Sequence, residues 1–315
     1  MGKKFAKVYG VVDIGTLKVK AEIASVEPDG LLEKLYSSNV LTLFGTGLDE
    51  NGGMVQEQYI RQTIDELQRL KGEFKKHGVE KSRVVSTHAM RKAKNREDIV
   101  ERIKKEVGFD VENITQEQEA EFFFRAVMQT FAPENREYAV IDVGGGSVQV
   151  LVGTKKKLQA AHMMKTGTVS LHEKFVQDPH NPRSFSTEDD IEQMRLAILE
   201  ELMPFERAKN VPLVYGSSMV IDIMKQIDIQ LYPHKESAAH PYKTYAGHLA
   251  KVIKEVGPMP FGERDELYKL PHHYAWGLDK AFLNAVTIAE HFESPHIIPS
   301  NANIAQGIIY SMAEA

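Results

Sequence analysis

The chain has 315 residues, 42% hydrophobic and 26% charged. This is the mix of a soluble globular protein with room for two domains of ordinary size. A formal net charge of −5 argues against a broad nucleic-acid-binding surface, although a local patch or backbone amides can still take an anion. Cysteine is absent, which excludes disulfides and thiolate metal sites. No apolar run approaches the ~20 residues of a membrane span or forms the core of a secretion signal, so a cytoplasmic protein with no membrane partner is expected.

In chain order, Tyr9-Gly-Val-Val-Asp13-Ile-Gly15-Thr16 followed by Val19-Lys-Ala-Glu-Ile reads as strand, tight turn, strand. The second strand alternates, with Val19, Ala21 and Ile23 on one face. Gly45, Gly47, Gly52 and Gly53 mark a loop. Ile60, Ile64, Leu67, Leu70 and Phe74 then fall on one face of a helix that Gly78 stops. Arg83 to Thr87 is a short strand. Asn95 reads as the N-cap of a helix through Ile99 and Ile103, with Gly108 as its C-cap. Thr115 and Gln118 form a capping box for a helix through Phe123 and Val127, which Pro133 ends.

The opening pattern then recurs. Tyr138-Ala-Val-Ile-Asp142-Val-Gly144-Gly145-Gly146-Ser147 leads into a second apolar strand, and Val12 to Gly15 matches Ile141 to Gly144. A repeat at half the chain length suggests two domains of one design rather than a solenoid of short repeats. The boundary is placed in the Val127 to Pro133 stretch, giving domains of 1–127 and 128–315. The second half continues with a strand over Leu158 to Met164, a turn at Gly167 and helices over Ile191 to Leu202 and His248 to Val256. A strand at Leu213 to Gly216 precedes a turn and helix, and helices over Ala281 to Phe292 and Ile304 to Met312 close the chain. The twelve histidines show no metal-ligand spacing, and His272-His273 reads as surface loop.

Glycine permits positive φ and close ligand approach, and successive amides can converge on an anion. An aspartate just before such a turn cannot itself favour phosphate; its natural task is to hold a divalent cation, through water, that offsets phosphate charge. One such turn is more often an ordinary hairpin. Two matched turns point to a phosphate cleft between the domains.

The residues resemble the exopolyphosphatase / guanosine pentaphosphate phosphohydrolase (Ppx/GppA) family, of the actin, Hsp70 and sugar-kinase fold group. The resemblance rests on Ser86-Thr-His-Ala-Met-Arg91-Lys-Ala-Lys-Asn95, the Phe44 to Gly52 loop, Glu119-Ala120, Ile141 to Ser147 and Thr166 to Phe175, which occur in the family's order from about Val11 to Ile309. It implies an α/β fold of two actin-like (ribonuclease H-like) domains with an interdomain cleft. It also implies release of the terminal phosphate of inorganic polyphosphate or guanosine pentaphosphate, with Mg2+ or Mn2+ as cofactor. In that resemblance Glu119 falls on the general base, Arg91 on an arginine facing the phosphates and Asp142 on the metal-associated aspartate. Asp13, Gly15, Thr16 and Lys18 fall on one phosphate turn, and Gly144, Gly145, Gly146 and Ser147 on the other. The expected partners are the polyphosphate or guanosine polyphosphate substrate and, as one option, a second copy of the chain.

The departures bear on activity. Leu17 replaces a polar residue of the first turn, and Gln118, Gln149 and Gln306 stand where the family has carboxylates. An amide keeps a hydrogen bond but can neither carry the charge that binds a metal nor accept a proton. The alternative to an active hydrolase is therefore a relative that binds polyphosphate or nucleotide and has weakened or lost turnover. The ATP-dependent kinases of the same fold group are a more distant third reading.

Overall fold

The structure is a computed structural model that describes residues 7–48, 50–205, 209–216, 219–270 and 274–314. His272 and His273 lie outside the described residues. The chain divides into two compact units, residues 1–129 with 304–315, and residues 130–303.

The first unit is built from β1 (Val8–Ile14), β2 (Lys18–Val26), β3 (Leu32–Leu41), α1 (Glu57–Lys76), β4 (Lys81–Ser86), α2 (His88–Lys92), α3 (Arg96–Glu106), β5 (Val111–Asn113) and α4 (Gln116–Met128). Its sheet has the order β3-β2-β1-β4-β5. The first three strands are antiparallel hairpin partners, and β4 and β5 run parallel to β1. The apolar stripe of α1 is buried as its period predicts, through Ile60, Ile64, Leu67, Leu70 and Phe74. Gly78 beyond its end takes φ 65°, a left-handed conformation that glycine tolerates best.

Three elements of this unit were not legible beforehand, among them the three-residue strand β5. The edge strand β3 buries little of either face, so its alternation is weak. The five-residue α2 is too short to show a period. One predicted cap also works differently. Asn95 precedes α3, but its side chain makes no capping bond. Its amide instead accepts from the Val55 N–H at 3.0 Å and donates to the Val55 carbonyl at 3.0 Å, clamping the glycine-rich loop to the start of the helix.

The second unit repeats the design with β6 (Tyr138–Val143), β7 (Val148–Thr154), β8 (Lys157–Met164), α5 (Thr168–Phe175), α6 (Glu188–Glu201), β9 (Leu213–Gly216) and α7 (Val220–Gln226). It continues with β10 (Tyr232–Pro233), β11 (Tyr242–Lys243), α8 (Ala246–Val256), α9 (Phe261–Tyr268), α10 (Leu278–His291) and β12 (Ile297–Ser300). The main sheet has the order β12-β9-β6-β7-β8, and β10 and β11 form a separate ribbon. Read from the other edge this is the order of the first sheet, with the same antiparallel and parallel pairings. The likeness extends to a local irregularity. The β2–β3 register slips at Ile23/Ala24 and the β7–β8 register at Val152/Gly153, at the same spacing that separates Asp13 from Asp142. Both sheets thus have the mixed topology expected of ribonuclease H-like, actin-type domains.

The last helix, α11 (Ile304–Glu314), returns to the first unit. The expected division at 127/128 therefore differs from the observed one, chiefly because it assigned everything after 128 to the second domain. The cause is packing. Ala305, Ile308, Ile309 and Met312 join Tyr9 and Val11 of β1, Ala24 of β2 and Ile114 in one buried cluster. A Cβ on Gly307 would stand 1.7 Å from the Phe122 carbonyl oxygen of α4, so α11 reaches this packing only with glycine there. Such a long-range return is invisible to any local pattern.

Candidate functional site

In the first unit, Asp13 is the penultimate residue of β1 and opens the first turn. The Gly15 N–H donates to the Lys18 carbonyl at 3.0 Å, closing the turn. The segment after β3 supports it from behind. The Gly45 N–H donates to the Thr16 carbonyl at 2.7 Å, and the Thr42 and Leu43 N–H groups donate to the Leu17 carbonyl at 3.0 and 2.9 Å. Because each peptide is planar and trans, fixing those carbonyls turns the Leu17 and Lys18 N–H groups away from the supporting segment. Gly45 permits the contact: a Cβ there would lie 2.6 Å from the Thr16 methyl carbon and 2.9 Å from the Ala89 Cβ.

Arg91 and Glu119 join the same unit. Glu119 lies in the first turns of α4, which the capping box of Thr115 and Gln118 starts as predicted. The Thr115 N–H donates to Gln118 Oε1 at 2.9 Å, and the Gln118 N–H donates to Thr115 Oγ1 at 3.2 Å. Helical side chains lean toward the N-terminus, which carries the Glu119 carboxylate back over this first turn. There Arg91, near the end of α2, donates from Nη2 to Glu119 Oε2 at 3.0 Å and from Nη1 to the Ile114 carbonyl at 2.8 Å. Both side chains remain partly open, at 24% and 29% exposure, so the pair adds little stability. It fixes where the carboxylate points.

Asp13 is buried, and its Oδ1 has no hydrogen-bond partner. Burial pushes its pKa up to about 6; Lys20 pulls it down, Glu119 adds to the rise and Arg91 opposes it. Lys20 faces Asp13 across the β1–β2 ladder. Asp13, Lys20, Arg91 and Glu119 therefore form one electrostatic group within the first unit. Sequence reasoning named three of the four and missed Lys20, which an alternating strand would normally display as an ordinary solvated charge.

In the second unit, Asp142 occupies the equivalent place near the end of β6. The Gly144 N–H donates to the Ser147 carbonyl at 2.9 Å, reproducing the Gly15–Lys18 closure. The backing here is the N-terminus of α5. The Thr168 N–H donates to the Gly144 carbonyl at 3.0 Å, and the Val169 and Ser170 N–H groups donate to the Gly145 carbonyl at 2.8 and 3.2 Å. The Ser170 hydroxyl donates to the Gly146 carbonyl at 2.9 Å. With three successive carbonyls held by α5, the N–H groups of Gly145, Gly146 and Ser147 face away from it, and the three glycines are exposed. Such a run of outward amides can take an anion.

The expected reason for the turn glycines needs correcting. Neither Gly15 nor any of Gly144 to Gly146 has positive φ. Closeness is what demands glycine: a Cβ on Gly15 would lie 3.0 Å from the Lys18 carbonyl oxygen, and one on Gly144 3.1 Å from that of Ser147. Gly167 is more constrained still, since a Cβ there would meet the Gly145 carbonyl oxygen and the Ser147 nitrogen at 2.3 Å each. Sequence reading named Gly167 as a turn and as part of the Thr166–Phe175 stretch, but gave it no role at the site. The available signal was the Gly-Thr step that follows the third strand in both halves, Gly45-Thr46 and Gly167-Thr168.

The three amides that the resemblance sets against carboxylates have identifiable neighbours. Gln118 completes the capping box. Gln306 of α11 donates from Nε2 to Glu22 Oε1 of β2 at 3.0 Å, within the first unit. Gln149 faces Asp142 across the β6–β7 ladder, as Lys20 faces Asp13. Asp142 and burial together push the Tyr215 hydroxyl up, burial being the larger cause. Among the described residues no group of three or more His, Cys, Asp or Glu is arranged to hold a metal ion, and no helix is long and apolar enough to cross a membrane.

Matched sheet order, slip and turn closure define an α/β protein of two ribonuclease H-like units of the actin type. The chain belongs to the Ppx/GppA phosphatase family, whose sequence profile matches residues 23–315. It is similar to the crystal structure of the Aquifex aeolicus member of that family, with 27% identity, 98% of each chain covered and a TM-score of 0.85. It is 26% identical over 266 residues to exopolyphosphatase 2 of Mycobacterium tuberculosis, covering 81% of this chain and 82% of that protein. It is 24% identical over 171 residues to a bifunctional 3-dehydroquinate synthase/phosphatase of Fusobacterium nucleatum. That match takes in 52% of this chain and spans only 26% of the length of the relative.

Proposed function

We propose that the chain hydrolyses a phosphoanhydride, releasing the terminal phosphate of inorganic polyphosphate or of a guanosine polyphosphate. The observation that carries this reading is the fixed carboxylate of Glu119, oriented by Arg91 beside the Asp13 turn, in a chain of the Ppx/GppA phosphatase family. Glu119 takes the proton of the attacking water as general base. Arg91 uses two of its five N–H donors on Glu119 and the Ile114 carbonyl, and its fork suits phosphate oxygens. The outward amides of Gly145, Gly146 and Ser147 hold phosphate oxygens without needing a cationic side chain. Lys18, exposed in the first turn, adds a positive charge to a turn that Leu17 has made less polar.

The carboxylates fit Mg2+ or Mn2+. Asp13 Oδ1 is a buried oxygen without a partner, and Asp142 sits at the equivalent position of the second turn. In either turn a single carboxylate would suit an ion that keeps most of its water and takes the rest of its shell from substrate phosphates, so each is a candidate holder within its own unit. When bound, the cation offsets phosphate charge. The test is phosphate release from polyphosphate and from guanosine pentaphosphate with Mg2+ or Mn2+, comparing the wild type with Glu119→Gln. We expect the substitution to lower the rate by about 10²–10⁴-fold; unchanged release would sink the assignment. The binding-only alternative draws on Gln149 opposite Asp142, and it predicts calorimetric binding with no release.

A further inference from the structure

The Thr166–Gly167 step has one feature that general packing does not require. Thr166 and Asn284 are both buried, at 2% and 0% exposure, and they bond to each other twice. The Thr166 hydroxyl donates to Asn284 Oδ1 at 3.1 Å, and Asn284 Nδ2 donates to the Thr166 carbonyl at 2.8 Å. The same Nδ2 donates to the Lys280 carbonyl at 3.0 Å, within α10. The next turn of α10 toward its N-terminus is pinned in its own right. Lys280 Nζ donates to Ser186 Oγ at 2.7 Å and to Asp279 Oδ2 at 2.8 Å, and Arg264 donates to Asp279 Oδ1 at 2.8 Å. Asn284 therefore ties Thr166 to a helix that a buried charge cluster holds still.

Thr166 is joined directly to Gly167, which has no slack against Gly145 and Ser147. Gly167 in turn starts α5, whose first N–H groups hold the carbonyls of Gly144 and Gly145. Thr168 is also wedged by Gly277, where a Cβ would lie 3.1 Å from the Thr168 Cβ. The route from Asn284 to the exposed amides is thus short and made of buried, directional contacts. A backbone anion site depends on its amides being held in place before the ligand arrives, since otherwise binding must also order them.

We propose that Asn284 and Thr166 are positioning residues that pre-set the Gly144–Ser147 amides for the phosphate of the substrate. For the identity of that ligand the inference rests on the phosphohydrolase reading. Neither residue touches the ligand; both act through Gly167 and the start of α5.

The test uses Thr166→Val, which keeps the shape but removes the hydroxyl, and Thr166→Ser, which restores it. Binding of imidodiphosphate, a diphosphate that cannot be hydrolysed at its bridge, is measured with Mg2+ by calorimetry on the full chain. Turnover is measured in parallel. We expect Thr166→Val to weaken binding by about fivefold to a hundredfold or somewhat more, the range for stranding one buried hydrogen-bonding group. Its KM should rise by a similar factor with kcat changed less than about twofold, and Thr166→Ser should return both toward wild type. Wild-type affinity in Thr166→Val would overturn the proposal. So would equal weakening in both variants together with a common fall in melting temperature, which marks a plain core defect. If the wild type binds imidodiphosphate but releases no phosphate from either substrate, the hydrolase reading fails and the positioning role is still decided by the binding series. If the wild type does not bind it, both fall.

Discussion

At neutral pH the folded chain holds the Asp13 carboxyl where burial disfavours its charge, and Glu119 adds to that disfavour. The stability consequence has a definite sign. The folded-state pKa of about 6 lies above the ordinary 3.8, so between those values the folded state binds more protons than the unfolded one, and stability falls as pH rises through the window. The full shift corresponds to about 3 kcal/mol. Asp13→Asn should therefore melt at a higher temperature than wild type at pH 7.5, and most of the difference should be lost by pH 4, where the folded carboxyl is protonated and the unfolded one is near its own pKa. Thermal melts at the two pH values decide this; a variant no more stable at pH 7.5 would mean that Asp13 is not strained. A residue that weakens the fold at working pH is often kept for function rather than for stability, which accords with the role proposed for this turn. Asp13 could be singled out in the sequence because its Asp-x-Gly turn is duplicated. Its strain could not, because it comes first from burial in the folded unit and then from Glu119, far off along the chain.

At the scale of elements, α4 and α11 show what the glutamine replacements do. Gln306 stands beside Glu22, a carboxylate only 3% exposed, with Lys34 at 3.9 Å. A carboxylate at 306 would be a second acidic group at hydrogen-bond distance, and the Nε2 donor to Glu22 would be lost. Gln306→Glu is expected to destabilise the chain by about 1–3 kcal/mol at pH 8 and by clearly less at pH 4.5, where one carboxyl can be protonated. Urea titrations at both pH values check this, and equal stability at pH 8 would show that Glu22 tolerates the charge. Two of the three amides thus have local structural partners, and only Gln149 opposite Asp142 bears on a turn. Elements with a strong period or a side-chain cap were legible in the sequence: α1, α4 and the two strand–turn–strand repeats. Those whose order comes from the tertiary fold were not. These include β3, α2 and the first turn of α5, whose N–H groups are satisfied by a turn more than 20 residues earlier.

At the scale of the whole molecule, the chain carries one design twice and then crosses back. Two sheets of identical order share a register slip and a turn closure, which is why the opening repeat was a sound guide to architecture. The copies have diverged where chemistry is expected: Lys20 faces Asp13, and Gln149 faces Asp142. The return of α11 makes the first unit discontinuous, so its stability depends on residues far along the chain from the rest of it. Ile308, Ile309 and Met312 are buried in the cluster with Tyr9, Val11 and Val85. Each such side chain is worth roughly 1.5–3 kcal/mol when fully buried, and three together approach the ~5–15 kcal/mol that holds an ordinary domain folded. Truncation after Asn303 should therefore unfold or loosen residues 7–129 while the large core of residues 130–303 survives. Hydrogen exchange read by mass spectrometry separates the two: fast exchange confined to peptides from 7–129 is the expected result. Retained protection in β1 and β4 after truncation would show that the first unit closes its core without the helix, and the continuous boundary near residue 127 would then describe its folding better than the observed packing does.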